Sequence, residues 1–286
     1  MAFVITPSGA RIAWDAFGSE DLPPMVLIQG HGAQLLGWRE GFCERLVQEG
    51  FRVIRFDNRD VGQSQRYPEG GYELSDLADD TAALLDGLGL GSAHVVGQSM
   101  GGMVAQQLAL RHPHRVRSLG LLYTAPSLRY FRGRAAVEGR TAAAAPASRD
   151  AFVAQYLAAE AVCRSTAYPQ DTAWLTAVGA RIWDRGWEPG GPERQLRALL
   201  TTVDHDEMLR ALRVPTTILT GDSDQLVDPA ASARLREVIP RSTLTVFPGM
   251  GHELPEPLWD EIAALLGAGA RRGRSARTGR SGQAPR

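Results

Sequence analysis

Apolar positions recur along the chain in two alternating rhythms. Short runs of β-branched and aliphatic residues, "MVLIQG" (25–30), "FRVIRFD" (51–57), "AHVVGQ" (93–98), "VRSLGLLYT" (116–124), "TTILTGD" (216–222) and "STLTVFPG" (242–249), predict strands. Several are apolar on both faces, as parallel strands covered by helices must be. Between them the apolar spacing lengthens to about 3.6. In "GWREGFCERLVQEG" (37–50), Phe42, Leu46 and Val47 share one face. In "ELSDLADDTAALLDGLG" (73–89), Leu74, Leu77, Ala78, Leu84, Leu85 and Leu88 do the same. A third helix, "GGMVAQQLALRHP" (101–113), stops at a proline. The start, "FVITPSGARIAWDAFG", reads as an antiparallel hairpin turning at Pro7-Ser8-Gly9. Strand–helix alternation of this kind predicts an α/β fold around a mostly parallel, twisted sheet.

The rhythm breaks between about Ala125 and Pro215, where roughly ninety residues pass without a convincing strand. A structureless loop of that length is implausible in a compact domain. The stretch is rich in Ala and Trp, and predicts a helical cap over 127–213, inserted into a core made of 1–126 and 214–270. Trp183 and Trp187, four apart, are expected on one helix face. They would either pack the cap or form an aromatic wall over a substrate.

Composition changes this picture little. The chain has 286 residues, 44% hydrophobic and 22% charged, ordinary values for a globular protein. Its net charge of −1 is unevenly spread: all 31 basic residues are Arg, and six lie in 271–286 with no acid. With 25 Arg against 32 acids, the rest carries −7 and has no reason to seek nucleic acid. The segment 271–286 lacks large apolar side chains and is expected to be a disordered basic tail. Cys43 and Cys163 show no metal-ligand spacing, so neither a metal site nor a disulfide framework is expected. "MAFVITPSGAR" lacks a basic region followed by an apolar one, and no apolar run approaches a membrane span. A cytoplasmic location is the expectation.

Candidate chemistry centres on "HVVGQSMGGMV" (94–104), where Ser99 stands between glycines at a strand-to-helix junction. Such an elbow holds the serine in a strained conformation with its hydroxyl above the sheet. Strand and helix then come so close that the flanking positions must be small, as Gly97 and Gly101 are. A serine hydroxyl needs a base, and the base an orienting acid. Of six His, His205 and His252 lie well beyond Ser99. His252, in the Gly-rich "FPGMGHELP", can turn back over the sheet, whereas His205 reads as a surface residue. The acid is expected from "GDSDQLVDP": Asp222 ends the strand and Asp228 precedes a proline as helix caps do, which favours Asp224 in the loop.

Taken in order, "IQGHG", "DNRDVGQS", "GQSMGG", "VPTTILTGDSDQLVDP" and "PGMGHELP" resemble the α/β-hydrolase superfamily over 1–126 and 214–268. The turn usually written Asp-x-Arg-Gly-x-Gly-x-Ser has Asp60 in place of its first Gly. That variant, with "LGW" (36–38), is similar to the aclacinomycin methylesterase group, which hydrolyses a methyl ester on an aromatic polyketide. Arg59 and Asp60 are expected to form salt bridges of the turn. The resemblance implies a triad of Ser99, Asp224 and His252. It also implies an oxyanion hole made by the Met100 N–H and one donor after the first parallel strand. That donor is His31 if Gln29-Gly30 stands for the family's His-Gly, or Ala33 if His31-Gly32 does. The strand's reach to Ile28 favours His31. The expected activity is cofactor-free hydrolysis of a small-molecule ester or lactone. Perhydrolase or haloperoxidase-like, enol-lactonase and carbon–carbon hydrolase chemistries share the triad. A ligand-binding receptor retaining it is the non-enzymatic alternative.

Overall fold

A computed structural model describes residues 2–132, 145–202 and 204–278. Eight strands form one sheet: β1 (Ala2–Ile5), β2 (Arg11–Phe17), β3 (Pro24–Ile28), β4 (Arg52–Phe56), β5 (Ala93–Gln98), β6 (Val116–Leu122), β7 (Thr216–Gly221) and β8 (Ser242–Phe247). Their order across the sheet is β1-β2-β4-β3-β5-β6-β7-β8. β1 and β2 are the antiparallel hairpin, closed at Gly9 with φ 82°, and β2 also runs antiparallel to β4. All later neighbours are parallel.

The helices of the core are α1 (Glu40–Gln48), α2 (Leu74–Gly87), α3 (Met100–Arg111), α8 (Ala230–Val238) and α9 (Trp259–Thr278). Alternation along each strand feeds two separate cores. Val26, Ile28, Ile54, Phe56 and Val95 pack with α2, α3 and α8 on one face. Met25, Leu27, Val53 and Val96 pack with α1 and α9 on the other. Every residue of β3 and β7 is buried; β3 is apolar without interruption, whereas β7 buries three threonines beside Ile218 and Leu219.

Between the paired neighbours β6 and β7 lie α4 (Arg149–Glu160), α5 (Thr172–Asp184), α6 (Gly190–Leu200) and α7 (Asp206–Leu209). They cover the carboxyl ends of the strands, where sites in open parallel sheets form. Among the described residues no helix is long and apolar enough to cross a membrane, and both cysteines are free and buried.

The expected disorder from 271 onward is corrected in part: α9 continues to Thr278. Arg is a good helix former and cations are favoured near a helix C-terminus. Arg271 adds an ion pair to Glu49 at 3.0 Å, and Arg272 reaches the hydroxyls of Thr217 and Thr243. The remainder of that segment, 279–286, lies outside the described residues.

The junction of β5 and α3 is close-packed. A Cβ at Gly97 would lie 2.2 Å from the Gly101 carbonyl oxygen, and one at Gly101 would lie 2.3 Å from that of Ile28. Backbone cannot yield as a side-chain tip can. Gly97→Ala is therefore expected to cost about 3 kcal/mol, the upper end of overpacking, and to lower Tm by roughly 10 °C. A thermal melt unchanged within two or three degrees would contradict this packing.

Candidate active site

Ser99 occupies the turn between β5 and α3 with φ 52° and ψ −126°, a strained conformation for a residue with a side chain. Its backbone is pinned: its N–H donates to the Leu122 carbonyl, and its carbonyl accepts from the Gly102 N–H and the Thr124 hydroxyl. The Oγ lies 2.9 Å from Nε2 of His252. Nδ1 of His252 lies 2.7 Å from an oxygen of Asp224, whose other oxygen accepts the N–H groups of Leu226 and Val227 at 2.7 and 2.9 Å. Asp224 is fully buried. A carboxylate can only accept here, so Nδ1 carries the proton and Nε2 is left to accept from the serine.

His252 sits on the loop after β8, which turns at Gly249 (φ 72°). The loop is fastened on two sides. Asp222 accepts the Gly249 N–H at 2.7 Å from the core. From the insert between β6 and β7, Thr166 and Ala167 N–H groups donate to the Gly249 carbonyl, and Glu253 accepts the Ser165 N–H. Asp222 thus shapes the histidine loop without touching the imidazole. Asp228 accepts the Ala230 N–H at the start of α8 and pairs with Arg132.

The loop after β3 approaches the elbow so closely that a Cβ on Gly30 would be 3.3 Å from that of Ser99. Gly30 N–H donates to Gln29 Oε1, Gly32 N–H to Gln195 Oε1, and Ala33 N–H to the Gly30 carbonyl. Ala33, the alternative oxyanion donor, is therefore already engaged. His31 and Met100 line the cavity beside Ser99. Met100 opens α3, whose first turn aims N–H groups and a partial positive charge into the site.

Three groups here escaped sequence reasoning. Tyr123, with φ 34°, places its ring 4.9 Å from the His252 ring. Its hydroxyl donates to Gln98 Oε1 at 2.5 Å, and Gln98 Nε2 in turn donates to Gln29 Oε1. Burial holds the Tyr123 phenol well above its ordinary range, so it remains a donor. The available signal was its place at the end of β6, beside the nucleophile strand.

A cavity of about 750 Å³ opens above the triad. Its apolar walls include Phe131, Phe152, Tyr156, Trp174 and Trp187. The pairing of the two tryptophans needs correction. α5 stops at Asp184 because Gly186 turns left-handed (φ 95°), so Trp187 lies beyond the helix. The rings still stack at 5.8 Å, but only Trp187 lines the cavity; Trp183 packs behind it, against Phe152. His205 is buried beside Gln107 rather than at the surface.

Arg59 and Asp60 reach farther than their own turn. Arg59 pairs with Asp80 on α2, and Asp60, left-handed at φ 71°, pairs with Arg194 of α6. Asp57 is likewise paired with Arg185, at 2.8 Å. Both aspartates are fully buried against arginines of the insert between β6 and β7. No group of His, Cys, Asp and Glu among the described residues could hold a metal ion.

Residues 23–256 match the model of the alpha/beta hydrolase fold family. The putative carbamate hydrolase RutD of Caulobacter sp. (strain K31) is 31% identical over 246 residues, which cover 82% of this chain and 85% of the relative. The rhodomycin D methylesterase DnrP of Streptomyces peucetius is 37% identical over 121 residues, 42% of this chain and 41% of its own. Among solved structures, an esterase from Exiguobacterium antarcticum superposes with a TM-score of 0.74 at 23% identity, covering 96% of this chain and 99% of that one. At that identity the likeness is one of fold.

Proposed function

Since this chain belongs to the alpha/beta hydrolase fold family, we propose that it is a serine hydrolase cleaving a carboxylic ester through an acyl-enzyme. The observation that carries this reading is the continuous line from Ser99 Oγ through His252 to buried Asp224, raised on a strained elbow beneath the cavity. Ser99 Oγ attacks the acyl carbon while Nε2 of His252 takes its proton. Asp224 stabilises the imidazolium. The His31 and Met100 N–H groups hold the tetrahedral oxyanion. Collapse expels the alcohol, which receives the proton from Nε2. Water, deprotonated by the same nitrogen, then attacks the acyl-enzyme and frees the acid and Ser99.

The aromatic walls fit the acid part of an aromatic small-molecule ester, and a methyl ester is the favoured form. The methylesterase relative and the Asp60 variant of the turn support that choice. Two measurements test the activity: a burst of p-nitrophenol from a short p-nitrophenyl ester, and labelling by a fluorophosphonate at Ser99. A protein that binds such esters but neither releases phenol nor is labelled would be a receptor.

The same reading makes Trp187 a specificity residue. Trp187→Ala removes contact shared by ground and transition states, so KM for bulky aromatic esters rises about tenfold while acetyl esters are spared. Trp183→Ala, acting from behind, lowers Tm and leaves the ratio between the ester classes unchanged. Equal losses on both classes for Trp187→Ala would show that it only supports the cap.

A further inference from the structure

The cap touches the proposed oxyanion loop directly, through α6. Gln195, fully buried on that helix, accepts the Gly32 N–H at 2.8 Å and donates Nε2–H to the Arg59 carbonyl at 2.7 Å. One turn earlier the Pro192 carbonyl accepts a hydrogen bond from Nε2 of His31 at 2.7 Å. The backbones are nearly in contact. Gly32 is left-handed (φ 67°), and a Cβ on it would meet Pro192 at 3.2 Å; one on Gly191 would lie 2.0 Å from the Asp60 carbonyl oxygen. The His31 side chain and the Gly32 N–H, which follow the His31 N–H along the chain, are therefore fixed by a helix of the cap. The core fixes only the other end of the loop, where Gly30 N–H meets Gln29.

We infer that Gln195 is a positioning residue for the oxyanion loop, so that the cap sets the rate of acyl transfer as well as the choice of substrate. This rests on the reading of His31 N–H as an oxyanion donor. An oxyanion donor acts only where the developing charge will be, so a loop that shifts loses stabilisation of the transition state and little ground-state affinity.

The test uses a substrate too small to reach the cap walls, p-nitrophenyl acetate, below the melting transition of each variant. Gln195→Met removes both hydrogen bonds at nearly constant volume. Its kcat is expected to fall about 30-fold, less than the 100-fold or more that follows deletion of a donor, with KM within twofold. Gln195→Asn, too short to span both partners, keeps the site polar and is expected to lose about tenfold; it carries the test if the Met variant does not fold. Arg194→Met is the control, since it loosens the neighbouring position of the same helix without touching the loop. Its Tm should fall while kcat stays within threefold. Unchanged kcat in either Gln195 variant, or an equal loss in Arg194→Met, overturns the inference. Failure of a fluorophosphonate to label Ser99 in the parent protein would instead overturn the serine-hydrolase reading.

Discussion

Ser99→Ala turns over p-nitrophenyl acetate on the order of a millionfold more slowly than the parent, the scale seen when a triad serine is removed. Cavity binding persists, because the walls above the triad are untouched. The fold is expected to stay intact, since the change deletes one oxygen and leaves the backbone bonds to Leu122, Gly102 and Thr124 in place. Ser99→Gly sharpens the result. At φ 52° and ψ −126° any side chain is strained, by roughly 1–3 kcal/mol. Glycine relieves that strain, so the Gly variant should be equally inactive yet melt above the Ala variant. An Ala variant retaining a tenth of the parent's kcat, or still labelled by a fluorophosphonate, would remove Ser99 from the chemistry.

Asp224→Asn is the second large effect, with kcat falling on the order of ten thousandfold by analogy with a protease triad. The geometry explains why an isosteric change does so much. The Leu226 and Val227 N–H groups require an oxygen at one branch of the side chain. The amide NH₂ is therefore turned toward His252, where it donates to Nδ1. The imidazole proton moves to Nε2, which then cannot accept from Ser99. Asp222→Asn and Asp228→Asn should stay within about threefold, since each oxygen they retain still accepts its backbone N–H. If Asp228→Asn is the crippled variant, the acid lies four residues further along the chain.

Much of the fold could be read from local pattern, because β3 is apolar on both faces, β5 and β7 keep apolar centres at Val95-Val96 and Ile218-Leu219, and the helices between them keep one apolar stripe. Ser99, Asp224 and His252 were reachable for a related reason: each lies at the carboxyl end of a strand or just beyond it, flanked by glycines or by a turn. Tyr123, Gln98, Gln29 and Gln195 were not. Their hydrogen bonds join residues 25 to 163 positions apart, and a glutamine facing another glutamine leaves no periodic trace. The two tryptophans show the opposite error. Spacing of four suggested a helix face, but Gly186 between them ends the helix. The Arg-rich end of the chain reads as a tail because it lacks large apolar side chains, whereas its first turns simply continue α9.

The helical insert leaves the sheet at β6 and returns at β7, strands that are direct neighbours. Because the two strands are parallel, it departs from the carboxyl end of β6 and comes back to the amino end of β7, whose Thr216 pairs with Leu119 rather than with the last residue of β6. Such a junction suits domain exchange: a helical insert from a relative can be spliced in without altering the order of the sheet. Here a chimaera of that kind would inherit a new substrate pocket but lose the partners of His31, Gly32 and the Arg59 carbonyl. It should fold, accept different esters, and acylate slowly until a helix equivalent to α6, with a glutamine at the place of Gln195 and a carbonyl at that of Pro192, is restored. Recombination on this scaffold therefore has a natural boundary that differs from the topological one, and α6 belongs with the core.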